Sequence, residues 1–311
     1  MITGAVDIGG TKIAVGAIDG AGRVLAREET PTAAARGFDD AMERIVAMLD
    51  RLRRQINEPM RGVGIGCTGP VDPYRGTIGE VDFLPGWKGA NPVAMLAARL
   101  HLEVAMENDA DAAALAEAEW GAGRDRKSLI CITVGTGIGA GLLLNGALYR
   151  GVDGAHPEVG HHVIDDTGPA CYCGARGCWE SLASGPAIAA HFARSTTAPK
   201  SHSNELSALQ ICELARAGDA SALQEIVRAG RYLGIGIANL ITLYVPELIV
   251  LSGSVMNSVE LFLPSIREVI RRQCGLVPAD RVELMPSGLG GDAPLIGAGV
   301  VWAHRYAWER G

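Results

Sequence analysis

The sequence predicts an α/β fold built from two similar domains. Two observations support this prediction. Apolar alternating segments interchange with amphipathic helical segments along the 311 residues, and each half opens on two such strands joined by a glycine-containing turn. A chain of this length with 48% hydrophobic residues can bury two cores of ordinary size. We therefore expect a small domain over 1–118, a large domain over 119–294, and a C-terminal helix over 295–311 that packs back on the small domain.

The first half shows the strand and helix pattern in the order β, β, β, α, β. Met42, Ile45 and Leu49 recur at helical spacing and predict an amphipathic helix with its arginines on the solvated face. The first three strands, of which two form a hairpin, and the strand after the helix are predicted by the segments VDIGG, TKIAVGAID, GRVLAREE and RGVGIGCTGP.

The second half repeats this theme from residue 128. SLICITVG, a glycine turn and IGAGLLLNGALYRG predict a strand, a turn and one further strand. Helices are predicted by LSALQICELARAG and SALQEIVRAGRYLGIGIANLITLY, a buried strand by ELIVLSGS, and a loop by the Ser-, Thr- and Pro-rich residues 195–206. The repetition indicates a duplicated α/β domain.

Charge and hydropathy exclude several classes of partner. The formal net charge is -7, whereas a surface that neutralises phosphates must be basic, so we expect neither a nucleic-acid nor a membrane partner. The N-terminus lacks secretory features, and no uncharged run of 18 apolar residues occurs, so a cytoplasmic location is expected. Thiols stay reduced there, which disfavours disulfides among the seven cysteines.

Two glycine turns are candidate phosphate sites. DIGGTK at 7–12 and GTGIG at 135–139 each join two strands, and their glycines allow positive φ and close approach of backbone N–H groups to an anion. The second turn is not a dinucleotide fingerprint, because a strand and not a helix follows it. Two tight hairpins without a ligand are the alternative interpretation.

Asp109 stands at a predicted strand-to-helix corner, between LEVAM and DAAALAEAEW. Phosphoryl transfer to a hydroxyl needs a carboxylate that accepts the proton, and Asp109 is the candidate for that general base. Aspartate at such a corner is also a frequent helix cap. The residues alone leave both roles open.

Three cysteines fall within eight residues of one another, and His161 precedes the first by ten residues. A C-x-C-x₄-C cluster offers three ligands of a structural zinc site, and spacing alone admits either His161 or His162 as the fourth. Buried inert thiols or a redox pair are the alternatives, although C-x-C favours a redox pair less than C-x-x-C does. The cluster is Cys171, Cys173 and Cys178; the four cysteines in apolar segments, predicted to be core residues, are Cys67, Cys131, Cys212 and Cys274.

Six segments follow one another in the order typical of the ROK family of repressors, open reading frames and kinases: DIGGTK, NDADAAALAE, VGTGIGAG, PEVGHH, CYCGARGCWE and LSGSV. The sequence resembles this family over nearly its whole length. The resemblance implies two ribonuclease-H-like domains of the actin-like ATPase type with a cleft between them. It also implies ATP, Mg²⁺ and Zn²⁺ as cofactors.

The resemblance assigns a role to each matching residue. Asp109 becomes the catalytic base, Asp7 orients Mg²⁺ through water, and Gly253 lies near the adenosine. The ATP phosphates are assigned to Asp7, Gly9, Gly10, Thr11 and Lys12 and to Gly135, Thr136 and Gly137; the sugar to Gly69, Asn108, Asp109, Glu158, His161 and Glu180; and zinc to His161, Cys171, Cys173 and Cys178. The sequence departs from the family pattern at LSGSV, which has a single glycine, and at Asp111, where many members carry asparagine.

The implied activity is ATP-dependent phosphorylation of a hexose, and LPGWKG at 84–89 is similar to bacterial glucokinases, which favours the 6-hydroxyl of glucose. HPEVGH and LASGPAI also resemble fructokinases, and the cysteine spacing is shared with N-acetylmannosamine kinases, so these and N-acetylglucosamine kinase remain alternatives. A ROK repressor is disfavoured, because the first motif begins at residue 7, where repressors carry a preceding winged-helix segment. A sugar-binding protein without catalysis is disfavoured by the presence of Asp109 with both turns. A homodimer or homotetramer is expected.

Overall fold

The computed structural model describes residues 1–195 and 206–308, so the predicted loop at 195–206 lies almost wholly outside the described residues. Within them the strands are β1 (Ile2–Ile8), β2 (Lys12–Asp19), β3 (Val24–Pro31), β4 (Met60–Cys67), β5 (Val71–Asp72), β6 (Thr77–Ile78), β7 (Glu103–Asn108), β8 (Leu129–Val134), β9 (Ile138–Leu144), β10 (Ala147–Leu148), β11 (Leu248–Ser252) and β12 (Glu283–Pro286). The α-helices are α1 (Phe38–Gln55), α2 (Pro92–Leu100), α3 (Asp109–Glu119), α4 (Trp179–Ala183), α5 (Gly185–Ser195), α6 (Ala208–Arg216), α7 (Ala220–Tyr244), α8 (Val259–Gln273) and α9 (Ala293–Ala303).

The chain forms two compact units. The first comprises Met1–Asp125, Gly141–Pro157 and the chain from Gly291 onward, and the second comprises Arg126–Ala140 and Glu158–Gly290. The domain boundaries expected from the sequence stay a prediction. In the part of the chain that the structure describes, no helix combines the length and apolar character needed to cross a membrane.

The two large sheets share one strand order, which confirms the α/β fold with a repeated theme. The first sheet runs β3-β2-β1-β4-β7 and the second β10-β9-β8-β11-β12. In the first sheet β1 pairs antiparallel with β2 and parallel with β4. In the second, β11 pairs parallel with both β8 and β12. In each sheet, the turn after the first strand therefore lies at the edge formed by the carboxyl ends of the parallel strands.

Register determines what lies at that edge in the first unit. Ile8 pairs with Cys67, and Cys67 pairs with Asn108, so β1, β4 and β7 end level with one another. The carboxyl ends of parallel strands are where open α/β sheets place their ligands. Asp7 and Asn108 therefore reach the same edge of the sheet.

Helix α9 packs on the first sheet through close backbone contact. It contacts α3, β1 and β4 within the first unit. A Cβ atom at Gly64 in β4 would lie 1.8 Å from the Ala298 carbonyl oxygen, so only glycine permits this approach. Helix α3, which carries Asp109, packs against both α9 and β4.

One strand prediction is wrong. The segment 138–151 was expected to be a single strand, but β9 ends at Leu144 and β10 begins at Ala147. Asn145 and Gly146 separate them with φ of 55° and 81°. An Asn-Gly pair with positive φ at both positions forms the two-residue turn whose twist suits a β-hairpin. The chain therefore reverses where a continuous strand was predicted.

In the second unit, α7 is the central helix and packs against α4, α5, α6 and α8. Trp179 of α4 is fully buried, and a Cβ atom at Gly236 of α7 would lie 2.1 Å from its ring. Between β10 and α4, residues 149–178 form only short 3-10 turns and two isolated bridges, Val163↔Cys178 and Ala170↔Arg176. This long irregular segment carries most of the residues predicted to bind sugar and zinc.

Candidate active site and metal centre

The junction of β7 and α3 holds the two residues predicted to bind and activate the reacting hydroxyl. Asn108 is the N-cap of α3: its Oδ1 accepts a hydrogen bond from the Ala110 N–H at 2.8 Å, and its Nδ2 donates to the Gly69 carbonyl at 3.1 Å. Asp109 is the first residue of the helix and is partly exposed. The N-cap of α3 is therefore Asn108 and not Asp109, although Asp109 Oδ1 also accepts from Ala110 N–H at 2.8 Å.

Asp7 lies near Asp109 and is electrostatically coupled to it. Burial and the charge of Asp109 raise the pKa of Asp7 to about 7, with Lys12 opposing the rise. A carboxyl group whose pKa is raised by burial and by a neighbouring carboxylate is typical of functional sites. A divalent cation would be favoured beside them, because it offsets the repulsion between the two carboxylates.

The first turn, residues 9–11, is fixed to its surroundings by backbone hydrogen bonds. The Gly9 N–H donates to the Lys12 carbonyl at 2.9 Å, and the Gly9 carbonyl accepts from Thr32 Oγ1 at 2.6 Å. Lys12 Nζ forms an ion pair with Glu29 at 2.9 Å. The lysine predicted to contact phosphate is therefore paired with a carboxylate of β3 in this structure.

The second turn, residues 135–137, is fixed in a similar way. The Gly135 N–H donates to the Gly137 carbonyl at 2.9 Å, and the Gly135 carbonyl accepts from the Gly185 N–H at 2.8 Å. Thr136 is exposed at the tip of the turn. The turn is thus anchored to the start of α5.

Gly253 lies against the strand that leads into the second turn. It follows β11 with φ of 93°, and a Cβ atom there would lie 2.4 Å from the Val134 carbonyl oxygen. Both the backbone conformation and the contact require glycine at this position. The single glycine of LSGSV is therefore placed next to the second turn, as an adenosine-binding or a turn-supporting residue would be.

The glycines of the two turns do not use the positive φ that glycine allows. Gly9, Gly10, Gly135, Gly137 and Gly139 all lie outside the set of described glycines with positive φ. Glycine is needed instead for space. A Cβ atom at Gly10 would lie 2.7 Å from Phe83 Cβ, and one at Gly137 would lie 2.4 Å from Glu180 Oε2. The turns are tightly packed rather than left-handed.

Glu180 connects α4 to the second turn. Its Oε2 accepts a hydrogen bond from the Ile138 N–H at 2.9 Å, directly after the turn. Glu158 is exposed and precedes the short 3-10 turn Val159–His161. Of the predicted sugar ligands in this unit, Glu180 and His161 are brought together through Tyr172, which contacts both side chains.

The structure brings His161 and the three cysteines of the cluster together. One ligand atom from each of His161, Cys171, Cys173 and Cys178 lies within 4.8 Å of the other three. His161 Nδ1 lies 3.5 Å from Cys171 Sγ, and Cys173 Sγ lies 3.5 Å from Cys178 Sγ. Ligand atoms about 2.0–2.3 Å from a tetrahedral zinc ion are about 3.3–3.8 Å apart, and three thiols with one imidazole are a structural zinc donor set. The residues therefore fit this metal.

His162, the other candidate ligand, has different contacts. Its Nε2 lies 3.3 Å from Asn239 Nδ2, and its ring packs edge to face on Trp179 with centroids 5.5 Å apart. The imidazole thus belongs to the packing around α7. Sequence spacing could not distinguish the two histidines, whereas the direction of each side chain does.

Burial and backbone hydrogen bonds shift the pKa values of the thiols in the cluster in opposite directions. The backbone N–H of Ala175 lowers the pKa of the exposed Cys173, while burial raises the pKa of Cys178 to about 12. A bound cation would stabilise both as thiolates, because a coordinating thiol is deprotonated.

A buried ionic network beside Asp109 was not predicted. The Asp111 carboxylate is fully buried and lies 2.9 Å from His156 Nδ1 and 3.2 Å from an Arg150 nitrogen. Arg150 also contacts Glu107 at 2.6 Å. Burial raises the pKa of Glu107 to about 7, with Arg150 opposing the rise. The signal in the sequence was the carboxylate at 111 in place of the amide of many family members, since a buried carboxylate needs cationic partners.

Two sheets of one strand order, each with a turn at the edge of its parallel strands, define the actin-like ATPase fold. The sequence model of the ROK family matches residues 3–305. The chain belongs to the ROK family.

Individual relatives include kinases and regulators. The glucokinase of Streptomyces coelicolor is 33% identical over 313 residues, which cover 96% of each chain. The xylose repressor of Bacillus subtilis is 33% identical over 238 residues, covering 76% of this chain but only 59% of the repressor. A crystal structure of a ROK family glucokinase from Streptomyces griseus, in complex with glucose and AMPPNP, has a TM-score of 0.85 and 32% identity and covers 96% of this chain and 98% of that one.

Proposed function

We propose that the protein is an ATP-dependent hexose kinase that phosphorylates the 6-hydroxyl of glucose. The observation that carries this proposal is the placement of Asp109. Its carboxylate stands at the start of α3 beside an Asn108 that is fixed to the Gly69 carbonyl, in a chain similar over 96% of its length to a glucokinase in complex with glucose and AMPPNP.

In the first unit, Asp109 accepts the proton of the attacking hydroxyl. Asn108 is 4% exposed and held at two points, so it can fix the orientation of that hydroxyl by a hydrogen bond without moving. Asp7 would hold Mg²⁺ through water, and this ion neutralises the phosphate oxygens of ATP. The backbone of residues 9–11, with Thr11 and Lys12, contacts phosphate. General-base assistance of this kind contributes about 10² to 10⁴ in rate.

In the second unit, residues 135–137 contact phosphate, Gly253 lies near adenosine, and Glu158, His161 and Glu180 bind sugar hydroxyls. His161, Cys171, Cys173 and Cys178 would hold Zn²⁺, whose contribution is to fix the fold of the irregular segment rather than to act on phosphate. Because His161 belongs to both groups, zinc held there would also fix a proposed sugar ligand. Preorganisation of this kind lowers the ordering cost of sugar binding.

A panel of sugars tests the proposal. Purified protein with ATP and Mg²⁺ is assayed against glucose, mannose, fructose, N-acetylglucosamine and N-acetylmannosamine, and also xylose because of the similarity to xylose repressors. We expect the highest kcat/KM with glucose, and glucose 6-phosphate as the product identified by phosphorus NMR. Turnover of every sugar no higher than that of Asp109→Asn would overturn the kinase assignment. Preference for another hexose would keep the kinase and correct its substrate.

We also propose an oligomeric state and a cellular location. A homodimer or homotetramer is tested by light scattering of the purified protein, and a cytoplasmic location by fractionation of the source cells. Neither property affects the roles proposed for Asp109 and the two turns.

A further inference from the structure

Tyr172 contacts two residues proposed to hold the sugar. Its hydroxyl lies 2.9 Å from His161 Nε2 and forms a hydrogen bond with the Glu180 carboxylate. Its ring meets the imidazole edge to face, with centroids 5.0 Å apart and planes at 85°. Tyr172 is nevertheless 58% exposed. The hydroxyl is therefore held by polar contacts although most of the side chain is exposed to solvent.

The direction of these hydrogen bonds follows from the other nitrogen of His161. Nδ1 lies 3.5 Å from Cys171 Sγ, and as the proposed zinc ligand it would carry no proton. Nε2 then carries the proton and donates it to the Tyr172 oxygen. The Tyr172 O–H in turn donates to Glu180, whose Oε2 also accepts from the Ile138 N–H at 2.9 Å.

A sugar hydroxyl has the same hydrogen-bonding capacity as this phenol, with one proton to donate and lone pairs to accept. A hydroxyl placed between His161 and Glu180 would therefore accept from Nε2–H and donate to the carboxylate, as Tyr172 does. Both hydroxyls cannot occupy that place. Because Tyr172 is exposed, its side chain can rotate outward without breaking a packed core.

We propose that the Tyr172 hydroxyl is an internal competitor that occupies the place of one sugar hydroxyl and sets the sugar affinity. The inference rests on the proposed function, in that His161 and Glu180 must hold the sugar. A sugar that carries the matching hydroxyl displaces Tyr172 and loses the two phenol hydrogen bonds in exchange for its own. A sugar that lacks this hydroxyl leaves Tyr172 in place.

Tyr172→Phe tests this competition, because it removes the hydroxyl and retains the ring that packs on His161. Exchange of a protein hydrogen bond for one to readily displaced water predicts that the Kd for glucose, measured by calorimetry, falls about fivefold. The KM for glucose falls in parallel, while kcat, the Kd for ATP and the zinc content stay at the parental values.

A series of monodeoxyglucoses supplies the readout that a merely structural role would not change. Tyr172→Phe should improve binding of every analogue except the one that lacks the displaced hydroxyl, whose Kd should stay unchanged. The matched control is Tyr74→Phe in the first unit, where the tyrosine is 61% exposed and its ring lies under Arg305 at 5.4 Å. This control should change no sugar Kd.

Three results would overturn the inference: a glucose Kd for Tyr172→Phe that equals the parental value, one that rises, or a gain of equal size for all analogues. Parental protein that binds glucose without phosphorylating it would overturn the proposed kinase function and leave the Tyr172 comparison intact. Parental protein that binds no hexose would overturn both.

Discussion

In the first unit, Asp7 and Asn108 lie near the ends of β1 and β7 in a continuous hydrogen-bonded register, and Asp109 begins α3 directly after its N-cap Asn108. In the second unit, Glu158 and His161 lie on residues 158–178, which contain two isolated bridges and one short 3-10 turn before α4. The carboxylates proposed to be catalytic are thus positioned by regular backbone, whereas the proposed sugar ligands need another source of order. The cluster of three cysteines and His161 would be such a source with the proposed zinc ion bound, because one ion would fix four points of the segment.

This contrast predicts different consequences of changing each region. Substitutions in the first unit should leave the geometry intact and alter chemistry or local electrostatics. Substitutions in the second unit should alter sugar binding through loss of order. Three experiments test the contrast, in order of expected effect.

Asp109→Asn should cause the largest loss. The amide retains the shape and the helix, which is capped by Asn108, but cannot accept the proton, so kcat should fall about 10² to 10⁴-fold. The Kd for glucose should stay within about threefold, since a neutral hydrogen bond of about 1 kcal/mol or less is altered. Steady-state kinetics and calorimetry measure the two quantities.

Asp39→Asn is the matched control for this experiment, because Asp39 occupies the first turn of α1 as Asp109 does that of α3, and it is exposed. It should leave kcat unchanged. Retention of more than about a tenth of the parental kcat in Asp109→Asn would contradict the assignment of the base, since general-base assistance is worth at least about 10².

Much of the fold and of the candidate site could be predicted from the sequence, because strands, helices and the cysteine motif have local signals. The alternation in β1 and β2, the spacing of Met42, Ile45 and Leu49, and the Cys-x-Cys-x₄-Cys pattern each depend on residues close together in the chain. The Asn145-Gly146 hairpin had such a signal as well, but the apolar residues on both sides were interpreted as one strand.

Contacts between distant segments could not be predicted in this way. Arg150 lies 39 positions from Asp111, and no local pattern links a buried carboxylate to its partner. The choice between His161 and His162 depends on side-chain direction, as does the contact of Tyr172 with Glu180. The packing reason for the turn glycines also depends on distant residues, namely Phe83 and Glu180.

Cys173→Ser should have the second largest effect. Loss of one of four ligands weakens the metal site and frees His161 and its neighbours, and the added ordering cost should raise the KM for glucose about tenfold and lower thermal stability. The Kd for ATP should stay within about twofold, since the residues proposed to bind it lie in the two turns and at Gly253. Glucose kinetics, nucleotide titration and elemental analysis measure these effects.

Cys274→Ser is its control. The Cys274 thiol donates to the Ala238 carbonyl at 3.5 Å, a contact that a hydroxyl can also make, and it lies outside the cluster. This variant should retain the parental KM and metal content. Fully active parental protein with less than about 0.2 zinc per chain would contradict a structural role for the metal, since such sites bind tightly.

Asp7→Asn tests the electrostatics of the first unit through thermal stability alone, and the sign of its effect depends on pH. Burial and the charge of Asp109 raise the pKa of Asp7 from 3.8 to about 7, so the fold disfavours the ionised form. The stability that the neutral carboxyl contributes is fully present below about pH 4 and is lost as the pH rises through about 7. Asparagine cannot ionise. Its melting temperature should therefore exceed that of the parent by a few degrees at about pH 8 and by much less at about pH 5, for a gain of at most about 4 kcal/mol.

Asp19→Asn supplies the opposite sign in the same assay. Burial acts to raise the pKa of Asp19, but hydrogen bonds from Arg23 and Ala21 outweigh it and lower that pKa, so its carboxylate stabilises the fold above the unfolded pKa. The variant should melt below the parent at about pH 8, and the difference should diminish only at strongly acid pH. Thermal unfolding without added Mg²⁺ measures both variants. An Asp7→Asn protein that melts below its parent at about pH 8 would mean that the ionised Asp7 carboxylate stabilises the first unit. The claim that Asp7 and Asp109 form a destabilising pair of carboxylates would then be wrong.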